Sequence, residues 1–192
     1  MVEALHNTPV TEVSARLTAL GLNPEIINLH FHASAREIRA TVGDAVFAKY
    51  FKFAFVRNPF DHLLSLYLYT CKHPKQVGHA AAIRHPDFKA YVRNEIPDEP
   101  QSPGPQSNLI ADADGRLLVD FIGRYETLEA DFAKVCERIG ARDVSLVRSN
   151  VTEHGPWTSY YDRATFDRVR RRYQHDLAAF GYADRAEDYG IS

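Results

Sequence analysis

The residues best suited to chemistry fall in one short stretch, FKFAFVRNPFDHLLSLYLY, residues 51–69. Arg57 ends an apolar run, Asn58 and Pro59 follow it, and Ser65 stands eight residues on among Leu63, Leu64, Leu66 and Leu68. A guanidinium recognises phosphate oxygens through paired N–H bonds, and a hydroxyl can donate one more. One reading therefore gives Arg57 and Ser65 to a phosphate-bearing ligand. In the other, Arg57 pairs with a carboxylate such as Asp61 and Ser65 bonds back within its own helix. Spacing alone leaves the two level.

The elements around this stretch must position it. Phe53 to Val56 reads as a strand covered on both faces. Asn58 can cap the helix that runs from Pro59 to about Cys71, and proline supplies the fixed φ of a first turn. Arg57 then projects just outside the carboxyl end of a strand, where ligands collect in open α/β sheets. Free N–H groups and the positive end of a helix dipole are expected beside it.

Before it, Thr8-Pro9 opens a helix through Val10, Val13, Leu17 and Leu20, and Ile26 to Phe31 reads as a short strand. Ser34 with Glu37 three later is a capping box for a helix ending near Gly43. A short helix from Asp44 to Tyr50 leads into the strand. After it come a helix over Asp87 to Glu95 and a loop, residues 96–107, whose four prolines and one glycine place it on the surface. Strands over Asn108 to Ala111 and Arg116 to Gly123 are joined by Asp-Ala-Asp-Gly, a hairpin turn rather than a calcium loop. Helices over about Thr127 to Ile139 and Ala164 to Phe180 finish the chain. Strands interleaved with helices give an α/β fold with a mainly parallel sheet.

Composition excludes several classes. The 192 residues suffice for one domain with a buried core. Lys and Arg number 23 against 25 Asp and Glu, a net charge of −2, without the basic excess of a nucleic-acid binder. No apolar stretch approaches the roughly 20 residues of a spanning helix. The first residues, MVEALHNTPVTEVSARL, lack the apolar core of a secretory signal. Cys71 and Cys136 match no zinc or redox spacing and read as reduced residues within helices, consistent with a cytoplasmic protein.

Arg-Asn-Pro-Phe-Asp at a strand end, with Ser eight residues after the Arg, resembles the 3′-phosphate-binding segment of sulfotransferases. Those enzymes take a sulfuryl group from 3′-phosphoadenosine 5′-phosphosulfate (PAPS). LHFHASAREIR (Leu29 to Arg39) is similar to a segment of a bacterial branch related to carbohydrate sulfotransferases. Gln106 to Cys136 and Ser159 to Tyr182 resemble that branch's hairpin, following helix and C-terminal helix. Four separated matches in order, over roughly residues 26–182, are more specific than any one.

The resemblance implies a P-loop-NTPase-like sheet flanked by helices, forming a single domain over residues 1–192. It implies transfer of a sulfuryl group from PAPS to a hydroxyl, most plausibly on a carbohydrate, without a metal. Arg57 and Ser65 would bind the 3′-phosphate, and His32 would take the acceptor's proton, a task suited to an imidazole. Other readings of His32 are a structural histidine at a strand end, or a metal site shared with His30.

The family's N-terminal Pro-Lys-Thr-Gly-type loop, which cradles the 5′-phosphosulfate, is not found in the sequence. The expectation is that the chain begins one strand and one loop late. Neither Lys49 nor Lys52 has a spacing that marks it as a substitute for the loop's lysine. The alternative is a non-catalytic remnant that binds nucleotide or glycan; a P-loop kinase fits less well.

Three further features have structural readings. Arg168, Arg170, Arg171 and Arg172 read as a solvated helix face. Trp157, Tyr160 and Tyr161 read as packing, and His73, His79 and His85 as a surface loop.

Overall fold

The structure is a computed structural model that describes residues 15, 18–19, 32–96, 104–146 and 152–192. The predicted strand at Ile26 to Phe31, and most of the predicted first helix, lie outside the described residues. The fold is helix-rich α/β with a small parallel sheet, as the sequence predicts. The chain divides into two compact units, residues 1–54 with 108–121, and residues 55–107 with 122–192.

In the first unit, α1 (Ala35–Val42) begins at the predicted capping box. The Ser34 hydroxyl accepts from the Glu37 N–H, and Glu37 accepts from the Ser34 N–H at 2.7 Å. Gly43, at φ +81°, ends α1 and starts α2 (Asp44–Lys49). Ala111 and Leu117 form an antiparallel bridge around the Asp112 turn, so the hairpin turn is present. The Asp112 carboxylate closes that turn by accepting the Asp114 and Arg116 N–H groups.

The predicted strands on either side of this turn are corrected. Residues Ser107–Ile110 form a short helix, α6, because the Asp176 carboxylate accepts both the N–H and the hydroxyl of Ser107 and so satisfies donors at a helix start. The second strand begins only at Phe121.

β1 (Phe53–Val56) pairs with β2 (Phe121–Arg124). The register is parallel with a constant offset: Lys52 meets Asp120 and Phe55 meets Gly123. β1 leads into α3 (Pro59–Lys72), capped as predicted by the Asn58 side chain, which accepts the Phe60 N–H at 3.0 Å. α4 (His79–Arg84) and α5 (Phe88–Glu95) follow; α4 replaces the surface loop expected around His79. After β2, a 3-10 turn over Tyr125–Thr127 opens α7 (Leu128–Ile139).

The expected last helix is two, α8 (Arg163–Arg172) and α9 (Gln174–Phe180). Tyr173, at φ −107° and ψ 19°, breaks the helix while its N–H still reaches Val169 O and its carbonyl still accepts from Leu177. The second unit's core is built from Phe60, Leu63, Leu64, Phe88, Val92, Phe166, Val169 and Leu177. Each such side chain contributes about 1.5–3 kcal/mol by burial. Phe60 stacks on Phe166 at 4.2 Å and on Trp157 at 5.4 Å, which binds α3 to α8.

Arg172 corrects the reading of the basic cluster as a solvated face. It is 1% exposed, with its guanidinium 5.4 Å from the Tyr173 ring. Helical spacing from Phe166 and Val169 carries it to the inward stripe, while Arg171 stays exposed.

Gly123 sits where β2 packs closely against β1 and α7. A Cβ there would lie 2.4 Å from Phe55 Cε1 and 3.1 Å from Asp131 Cβ. Gly123→Ala is expected to lower stability by about 1–3 kcal/mol. A urea midpoint equal to that of the wild type would show that Phe55 moves aside freely.

Candidate functional site

Arg57 leaves the end of β1 and is held from four directions. Its Nε donates to Asp61 Oδ2 at 2.7 Å, one helical turn ahead. Its guanidinium lies 4.3 Å from the centre of the Tyr125 ring. Its backbone N–H donates to Gln106 Oε1 at 3.0 Å, and its carbonyl accepts from Gln106 Nε2 at 2.8 Å. These contacts, made among the described residues, leave both Nη groups unengaged. Each Nη carries two N–H donors in a fixed plane, the fork that matches phosphate oxygens.

Asp61 and Ser65 are four residues apart on α3 and so share a face, with Arg57 one turn before them. Ser65 is half-buried, and its hydroxyl makes no hydrogen bond to its own helix among the described residues. The Arg57–Asp61 pair is thus the salt bridge considered from sequence, whereas the Ser65 back-bond is not formed. His154 Nε2 stands 3.6 Å from Asp61 Oδ1, and its Nδ1 donates to the Gly155 carbonyl at 2.7 Å. Beside them, burial first and the Arg57 charge second push the His62 imidazole below its ordinary value.

Of the N–H groups expected to be free at the start of α3, only that of Asp61 makes no hydrogen bond among the described residues. Asn58 N–H donates to Glu126 Oε1 at 2.7 Å, Pro59 has none, and Phe60 N–H goes to the Asn58 side chain. The helix start therefore offers side chains, the helix dipole and one N–H rather than a cradle of several N–H groups. Glu126 Oε2 also accepts from the Tyr182 hydroxyl at 2.9 Å. Burial, followed by this bond, pushes the Tyr182 phenol well up.

The family model for the sulfotransferase family matches residues 23–183. This chain belongs to the sulfotransferase family. An uncharacterized protein of Archaeoglobus fulgidus is similar to it, 37% identical over 117 residues that cover 59% of this chain and 87% of that relative. No solved structure matches the chain.

In this sulfotransferase-family chain, Arg57 and Ser65 both belong to the second unit, at a strand end and on the helix it feeds. His32 belongs to the first unit, exposed in the turn two residues before the Ser34 cap. His30 lies outside the described residues. Among the described residues no group of three or more His, Cys, Asp or Glu side chains is placed to hold a metal, and no helix is long and apolar enough to cross a membrane. Lys52 is committed elsewhere: Nζ lies 2.7 Å from Asp120 Oδ2 and donates to Tyr50 O.

Gln106, Tyr125, Glu126 and His154 were not singled out from sequence. Three of them fall in the segment Gln106 to Cys136 that carries the resemblance, but only the fold shows their bonds to Arg57 and Asn58.

The turn bearing Tyr125 and Glu126 is pinned by Asp131. Its carboxylate meets Lys134 Nζ at 2.7 Å, the Arg124 N–H at 2.9 Å and the Thr127 hydroxyl at 2.7 Å. These bonds, led by Lys134, hold the Asp131 carboxyl well below the usual carboxylate range. A lowered native value stabilises the fold above the unfolded value, near about 3.9, and that support is lost as pH falls through the native value. Asp131→Asn is therefore expected to be less stable than wild type at neutral pH, with the gap closing below about pH 4. Thermal melts across that range check this; a gap independent of pH would contradict it.

Proposed function

We propose that this chain transfers a sulfuryl group from PAPS to a hydroxyl acceptor, with a carbohydrate the favoured class, in the cytoplasm. The observation that carries the reading is the state of Arg57. Asp61 and Tyr125 fix its plane, and neither Nη group makes a hydrogen bond among the described residues, at the head of a helix that also bears Ser65. These residues fit a phosphate: Arg57 supplies charge and paired donors, and Ser65 one further donor.

PAPS, when bound, would supply the sulfuryl group, and adenosine 3′,5′-bisphosphate would depart as that group passes to the acceptor oxygen. Within the protein, Arg57 and Ser65 bind the 3′-phosphate and fix the nucleotide's register. Asp61 keeps the guanidinium extended along α3. His32 is proposed as the base that accepts the hydroxyl proton, since a neutral alcohol is a weak nucleophile.

The alternative is binding without transfer.

Radiolabelled PAPS offered with a panel of glycans separates the two. The proposal expects label on at least one glycan, and His32→Ala is expected to slow transfer by about 10²–10⁴-fold while nucleotide affinity holds. A folded chain that binds the nucleotide and labels nothing, with His32→Ala indistinguishable from wild type, would establish the binding-only reading instead.

A further inference from the structure

We propose that Gln106 is a positioning residue for Arg57, and that the buried Asp176 holds Gln106 in that role; its bearing on nucleotide binding rests on the reading of Arg57 above. Gln106 and Ser107, at the end of the proline-rich segment 96–107, thereby serve the nucleotide end of the site.

Arg57 has passed the end of β1, so strand pairing does not fix its peptide groups, yet its carbonyl and N–H set the direction in which the side chain leaves. Half-buried peptide groups need partners. Gln106 supplies both from one side chain: Oε1 accepts the Arg57 N–H at 3.0 Å and Nε2 donates to the Arg57 carbonyl at 2.8 Å. A primary amide is the side-chain group that carries an acceptor and a donor in the geometry of a peptide, so it can stand in for a neighbouring strand. A carboxylate of the same shape would place an acceptor against the Arg57 carbonyl.

Gln106 is itself fixed. Its N–H donates to Asp176 Oδ2 at 2.6 Å, and Asp176 Oδ1 takes the Ser107 N–H at 3.0 Å and the Ser107 hydroxyl at 2.6 Å. Asp176 is fully buried and Ser107 is 1% exposed, so solvent does not compete for these bonds. Pro105, also buried, restricts the backbone just before. A carboxylate taken wholly out of water needs several donors, and the three that Gln106 and Ser107 supply hold these two residues in place. The line runs from α9 through the loop end to the Arg57 peptide, inside one unit.

Two readouts on the full chain test this, with Gln106→Ala and the isosteric Gln106→Glu. The first is hydrogen exchange at the Arg57 amide, followed by NMR with the buried Val92 amide as control. The second is calorimetric titration with adenosine 3′,5′-bisphosphate. Gln106→Ala, which removes the acceptor of the Arg57 N–H, is expected to speed exchange at Arg57, and both variants are expected to leave Val92 unchanged and weaken nucleotide binding roughly tenfold, the size of one net hydrogen-bonded pair. Unchanged exchange at Arg57 in Gln106→Ala would overturn the proposal, and so would wild-type affinity in both variants. If wild type binds no nucleotide, the reading of Arg57 fails on its own, and exchange at Arg57 still decides whether Gln106 positions it.

Discussion

The peptide groups that follow β1 must be satisfied by something other than a strand, and the site is built from the way that is done. Gln106 takes both polar groups of Arg57, and Glu126 takes the N–H of Asn58. Each partner is fixed in turn, Gln106 through Asp176 and the turn bearing Glu126 through Asp131. A short strand thus ends in a defined direction, and α3 starts from it with a defined axis. Arg57 projects between them because its backbone has nowhere else to go.

The same arrangement sets the electrostatics. Arg57 is only 16% exposed and its partner Asp61 14%, so their attraction is screened less than that of a surface pair, and each offsets part of the other's desolvation. Asp61 and Glu126 also lie where a helix dipole favours negative charge. The Arg57 cation is therefore compensated on its Nε side, while its Nη groups make no hydrogen bond among the described residues. The Nε–Asp61 bond costs the guanidinium some charge but fixes its plane, and a fixed fork loses less entropy on binding than a free one. Tyr125 beneath the guanidinium adds to this by stacking.

Much of this was legible in the sequence. The Ser34–Glu37 box, the Asn58-Pro59 start and the stripe Phe166, Val169, Tyr173, Leu177 and Phe180 are local signals, and the fold kept them. The Arg57–Asp61 bridge followed from i to i+4 spacing. What could not be read depends on partners about 50 to 70 residues away. Residues 108–110 have a strand-like pattern but become helical because Asp176 captures Ser107. Glu126 takes one of the N–H groups that the sequence leaves free at the start of α3. Arg172 looked like one of four solvated arginines until the inward stripe of α8 claimed it. Side-chain bonds across such separations leave no periodic trace, which is why the elements were clearer than the site.

The role proposed for Arg57 is to grip the nucleotide's 3′-phosphate. Calorimetric titration of adenosine 3′,5′-bisphosphate into wild type and Arg57→Ala measures this directly, with Arg57→Lys alongside. Binding by wild type, its loss in the alanine variant and only partial recovery with lysine is the predicted result, since lysine restores charge without the planar fork. A folded Arg57→Ala chain that binds as tightly as wild type would contradict it.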